Sequence, residues 1–178
     1  MKNVLVVVDM QNDFISQALA NAKGEQVVQN VVREIKSGRY DYIALTRDTH
    51  FENYMDTLEG KNLPVPHCIK GTEGWKIDPR IYQAVEDSGI EHKMYDKKTF
   101  GSFSLPMELE IYENELESVS VTGLCTDICV VSNALMIKAA LPNVPVYYVE
   151  DACSGVTEEA HEAALKVMNS CQIYKRGN

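Results

Sequence analysis

Strand-like runs alternate with helical periodicity from one end of this chain to the other, and four of the runs are each followed by side chains capable of chemistry. The runs are 3–8, 41–46, 89–96 and 116–123. After them stand Asp9, then Asp48 with His50, then Lys97, then Cys125 with Cys129. Such alternation predicts a parallel sheet covered by helices on both faces. Parallel order would carry all four groups to the rim at the strands' carboxyl ends, where open α/β sheets bind ligands. Residues 4–8 are continuously apolar and mostly β-branched, as a central strand buried on both faces requires.

The remaining elements fit one domain over residues 1–178. Val27, Val31, Val32 and Ile35 recur at helical spacing. The stretch 47–79 holds Gly60, Pro64, Pro66, Gly71 and Gly74 and has little periodicity, and a loop of that length in a compact domain is usually functional. A helix follows Pro79. Another is expected to start at Ser104 as cap, with Pro106 in its first turn. A helix over about 127–140, a fifth strand at 144–149, a last helix from Thr157 to about Asn169 and a short edge strand at 172–174 complete the α/β reading. The expected architecture is a three-layer α/β/α sandwich around a central, mostly parallel six-stranded sheet.

Composition narrows the partners. A net charge of −9 argues against nucleic acid and anionic membranes, both of which need clustered Lys and Arg. No apolar run approaches the ~20 residues of a membrane span. The apolar start breaks at Asp9 with no small-residue cleavage site, so it reads as a strand rather than a signal, and a cytoplasmic location is expected. Five cysteines with no CxxC pair point to a reducing compartment rather than a disulfide framework.

Cys129 is expected in the first turn of a helix that Thr126 or Asp127 could cap, where unpaired N–H groups and the helix dipole favour a thiolate. The bland alternative is a small buried hydrophobe. Asp9, at the tip of an apolar strand, is either a turn-capping carboxylate or a general base for the thiol. Asp13 lies further into the loop and reads as a turn-holder. A lysine beside the thiol would favour its charged form, although spacing alone does not choose between Lys97 and Lys98. Asp48, His50 and His67, with Glu59 between them, offer carboxylate and imidazole ligands for a divalent ion, or else hydrogen-bonding histidines. His92 and His161 read as structural.

Taken together the motifs resemble the isochorismatase-like cysteine hydrolases, and most closely the nicotinamidases and pyrazinamidases. They are V-V-D-M-Q-N-D-F at 7–14, T-R-D-T-H at 46–50, P-H-C at 66–68, K-K-T-F-G-S-F at 97–103, G-L-C-T-D-I-C-V at 123–130 and E-D-A-C-S at 150–154. The resemblance implies a catalytic triad of Asp9, Lys97 and Cys129. It also implies a cis peptide before Cys125, whose N–H joins that of Cys129 in an oxyanion hole. The implied metal ligands are Asp48, His50 and His67 with Glu59 as third ligand in the set, Asp56 being the competitor. The implied cofactor is one divalent ion, zinc ahead of manganese or iron. Phe14, Phe100 and Phe103 become the expected walls of a small amide pocket, and homo-oligomers are common in the family. The implied activity is hydrolysis of nicotinamide to nicotinate and ammonia through a cysteine thioester, a step of NAD salvage. Leu63-Pro64-Val65 stand where the family usually has an aromatic, which leaves another small amide, ureide or enol ether as a second reading. A non-catalytic α/β binding module is the third.

Overall fold

The first strand, β1 (Asn3–Val8), explains the layering, because its alternate side chains feed two separate cores. The structure, a computed structural model, describes residues 2–177. Val4, Val6 and Val8 pack on one face with Leu105, Leu109, Ala134, Ile137, Leu165 and Met168. Leu5 and Val7 pack on the other with Val27, Val31, Ile35, Ile81, Ala84 and Val85. This period of two is what a strand imposes, and it places helices on both sides. Helices α5 (Ser104–Ile111), α6 (Val131–Ala140) and α7 (Glu158–Ser170) supply the first layer. The second comes from α1 (Asn12–Ile15), α2 (Gly24–Ile35) and α4 (Pro79–Ser88), while α3 (Leu58–Asn62) lies in the long loop.

The other strands are β2 (Tyr42–Asp48), β3 (Glu91–Lys97), β4 (Ser118–Leu124), β5 (Val146–Ser154) and β6 (Ile173–Lys175). They join β1 in one sheet of order β3-β2-β1-β4-β5-β6, and every neighbouring pair is parallel. The expected three-layer, six-stranded architecture is therefore the observed one, with no antiparallel strand in the sheet among the described residues. Connections run one way from β1 to β2 and β3, then the other way to β4, β5 and β6. The switch falls between β1 and β4, where such sheets leave a crevice. Gly123 fixes how closely these two strands approach: at φ +116° a Cβ there would lie 2.0 Å from the carbonyl oxygen of Val8.

Three local expectations change. β5 runs to Ser154 rather than stopping at Val149, because a register shift after Val121 lets Cys153 and Ser154 pair with Gly123 and Leu124. Its Glu150–Asp151 pair masks this continuation in the sequence. Ser104 is the first residue of α5 and not its cap; the Ser102 hydroxyl accepts from the Leu105 N–H at 3.3 Å. Ahead of α6 stands a π turn, Thr126–Val130, in which neither Thr126 nor Asp127 caps. Thr126 instead hydrogen-bonds His161, and Asp127 accepts from the Val156 N–H. Thr157 does cap α7, accepting from Ala160.

Candidate active site

Asp9 follows β1 directly with φ +48°, a left-handed conformation that Asp tolerates better than most residues. Its buried carboxylate accepts from the Thr46 hydroxyl at 2.7 Å and faces Lys97 Nζ at 2.6 Å. The Lys97 ammonium also donates to the Thr99 carbonyl at 3.0 Å and reaches Cys129 Sγ at 3.6 Å. Lys97 is thus the lysine turned inward, and acid, amine and thiol form one buried cluster. Burial raises the Asp9 carboxyl above its usual range despite the pull of Lys97, with Asp48 adding to the rise. Burial works against the Lys97 ammonium, yet Asp9, Cys129 and Asp48 hold it above the ordinary lysine value. The Cys129 thiol is pushed well up by burial and by Asp9, with Lys97 pulling the other way. That overturns the expectation of a thiol lowered by a helix start: the thiol is buried in a π turn beside a carboxylate. The Leu124–Cys125 peptide just ahead of that turn is cis.

Beside this cluster lie Asp48, His50, Glu59 and His67, with one ligand atom from each falling within 4.8 Å of the others. Asp48 Oδ2 is 2.9 Å from His50 Nε2 and 3.4 Å from His67 Nε2; Glu59 Oε1 is 3.5 and 3.9 Å from the same nitrogens. Adjacent ligands of a divalent ion with bonds of about 2.1 Å stand roughly 3–3.5 Å apart. The Asp48 distances and the Glu59–His50 distance lie close to that range, and the Glu59–His67 distance is longer. His67 Nδ1 lies 2.8 Å from the Val65 carbonyl, so in the neutral ring that donates there Nε2 carries the lone pair a metal would need. Asp48 Oδ1 is buried with no hydrogen bond, 3.6 Å from Lys97 Nζ. Although burial opposes it, hydrogen bonds from His50 and His67 hold the Asp48 carboxyl below its ordinary range. Burial likewise opposes charging of His67, and its bonds to Asp48 outweigh that. Of the two candidates for the remaining ligand, Glu59 joins the cluster and Asp56, exposed in a short 3-10 turn, does not.

Gln11, and one of the two roles of Asp13, escaped the sequence reading. Gln11 is fully buried and grips the backbone of Asp48 at both ends. Its Oε1 accepts from the Asp48 N–H at 2.7 Å and its Nε2 donates to the Asp48 carbonyl at 2.9 Å. Asp13 does hold a turn, through Ala18, but it also accepts from the Cys68 N–H at 2.7 Å and so anchors the segment carrying His67. Gly74 makes room for it, since a Cβ there would fall 2.2 Å from the Asp13 carboxylate. The signal for both was polarity in a segment next to a buried strand.

A cavity of about 70 Å³ joins the two clusters, lined by Phe14, Asp48, Glu59, His67, Phe100, Cys125 and Cys129, with Leu19, Leu63 and Ile128. It shares Glu59, Leu63, Phe100 and Ile128 with a groove of about 640 Å³ that also touches Leu58, Asn62 and Lys98. Phe14 and Phe100 therefore stand where aromatic walls were expected. Phe103 does not: it is 75% exposed and lies outside the cavity lining. His92 and His161 are both held in structural contacts, to Glu86 and Thr126.

A sequence profile described as the isochorismatase domain matches residues 3–174. An uncharacterized isochorismatase family protein of Bacillus subtilis is 29% identical over 175 residues, spanning 93% of each chain. The nicotinamidase/pyrazinamidase of Mycobacterium tuberculosis is 24% identical over 183 residues, spanning 95% of each. Among solved structures, the pyrazinamidase of Pyrococcus horikoshii in complex with zinc covers 100% of both chains at a TM-score of 0.78 and 26% identity.

Proposed function

The chain belongs to the isochorismatase domain family, and from there we propose that this amide hydrolase converts nicotinamide to nicotinate and ammonia through a Cys129 thioester. The observation that carries the reading is the shared cavity, with Cys129 on one side and Asp48, Glu59 and His67 on the other, between Phe14 and Phe100. Two aromatic rings and a narrow space suit a flat heteroaromatic amide.

Asp9 receives the thiol proton as the sulfur attacks the carboxamide carbon, and Lys97 faces the negative charge first on Asp9 and then, as the proton moves, on the sulfur. The N–H groups of Cys125 and Cys129 receive the oxyanion. Asp9 then delivers the proton to the departing nitrogen, ammonia leaves and the thioester forms. In the second half Asp9 accepts a proton from water as it attacks the thioester, and returns it to the sulfur as nicotinate leaves. A divalent ion held by Asp48, His50, Glu59 and His67, zinc being the first choice, would anchor the ring nitrogen and polarise water. Cys129→Ala should lower ammonia release from nicotinamide by at least about 10³-fold with an unchanged circular dichroism spectrum, whereas near-normal turnover would reject the scheme.

The groove that continues from the cavity past Leu58 and Leu63 favours a second reading, a small amide with an apolar extension. Ammonia release from a panel of ring-substituted and aliphatic amides separates the two. We further propose a cytoplasmic homo-oligomer. All five cysteines are unpaired, and Phe103, Met107 and Ile111 form an exposed apolar stripe at helical spacing along α5. Among the described residues no helix is long and apolar enough to cross a membrane. Sedimentation of the protein and of Met107→Glu tests the assembly.

A further inference from the structure

Asn133 lies inside α6, in V-S-N-A-L-M-I-K, and is 1% exposed. An amide is a poor helix former, and burying one costs free energy unless its hydrogen bonds are made. Here they are made, and every one leads to the site. Asn133 Nδ2 donates to the Cys129 carbonyl at 2.8 Å and to the Phe100 carbonyl at 3.1 Å. Its Oδ1 accepts from the Ser102 N–H at 3.0 Å. Both amide hydrogens and the oxygen are used, and a flipped amide would aim oxygen at two carbonyls, so the network fixes the orientation.

One side chain thereby joins the turn that carries the thiol to the loop that carries an aromatic wall. That loop, between β3 and α5, is pinned at its start by Lys97 on the Thr99 carbonyl. It presses on α6 near Asn133 as well: a Cβ on Gly101 would lie 2.4 Å from Met136 Sδ. Nothing else in the loop reaches the Cys129 backbone among the described hydrogen bonds.

We propose that Asn133 is a positioning residue that sets the Phe100 wall at a fixed distance from Cys129 and so controls how tightly an aromatic amide is held for attack. This rests on the reading of Cys129 as nucleophile and of Phe100 as wall. The test uses Asn133→Thr and Asn133→Asp as full-length, metal-loaded proteins. Thr can keep the bond to the carbonyl four residues back but loses the loop contacts, and Asp keeps the Ser102 acceptor but loses both donors. For nicotinamide, KM should rise about 10-fold in each, with most of the loss in kcat/KM carried by KM. Phe100→Ala should raise KM similarly, and the double variant should add little to it. A purely structural role would instead lower kcat in proportion to the folded fraction at constant KM, and that outcome overturns the proposal.

A second arm needs no turnover. The rate of Cys129 alkylation by N-phenylchloroacetamide relative to chloroacetamide should fall about 5-fold in Asn133→Thr, because only the aromatic reagent uses the wall. If wild type releases no ammonia from nicotinamide yet this ratio falls, the substrate reading fails and Asn133 keeps its role. If wild type is active and neither KM nor the ratio moves, the role of Asn133 is lost and the substrate reading stands.

Discussion

Both ends of the sheet bury charge, but they do it differently. At the carboxyl end Asp9, Lys97, Asp48 and Cys129 crowd together, and Asp48 Oδ1 is left without a hydrogen bond. At the amino end the Glu34 carboxylate accepts both from the Arg39 guanidinium, at 2.9 and 2.7 Å, and from the Tyr40 hydroxyl. Arg176 donates to Ser118 at 2.9 Å and to Ser120 at 2.8 Å and lies over the rings of Tyr40 and Tyr147. A satisfied network ties chain segments together and does nothing more. A buried oxygen without a hydrogen bond beside a cavity calls for an explanation that a satisfied network does not. The cluster at the carboxyl end keeps a carboxylate oxygen without a hydrogen bond, whereas the Glu34 carboxylate is fully engaged.

Substitutions at the two ends should therefore fail in different currencies. Lys97→Met leaves Asp9 buried and uncompensated, so ammonia release should drop about 10³-fold and urea denaturation should show a loss of roughly 3–5 kcal/mol. A stable, active Lys97→Met would erase the contrast. Removing metal with a chelator, or replacing His67 with Ala, should lower activity about 10–100-fold while metal analysis shows the ion gone. A chelator-insensitive, metal-free enzyme would withdraw the ligand assignment. Glu34→Gln at the opposite end should cost roughly 1–3 kcal/mol of stability and leave turnover within about two-fold. The smallest effect is alkaline. Burial and the Glu34 hydrogen bond push the Tyr40 hydroxyl up to about 12. The unfolded chain releases that proton near pH 10, so above 10 it binds fewer protons than the native state, and stability declines between 10 and 12. Melting temperatures from pH 9 to 11.5 should fall less steeply in Tyr40→Phe than in wild type.

Much of this was legible in the residues. Each chemically loaded group follows a strand-like run, and parallel order carried Asp9, Lys97, Cys129 and Asp48 to one rim. What stayed hidden depends on contacts distant in sequence. Gln11 meets Asp48 across 37 positions and Asn133 meets Phe100 across 33, and no local pattern announces either. The π turn around Cys129 has the composition of an ordinary helix start, so its thiol was read as lowered when burial raises it. Phe103 shares a motif with Phe100, but the chain enters α5 at Ser104 and turns the two rings apart.

Lys97 is the last residue of β3, and β3 is an outermost strand whose residues are partly open to solvent. Sliding that strand by one residue would swing the ammonium to the opposite face and present Asp96 or Lys98 instead. The reaction thus depends on the alignment of a border strand that only β2 holds in the sheet. On gradual warming, catalysis should fall silent while ellipticity from the inner strands persists, because peeling one border disarms the thiol long before the framework melts.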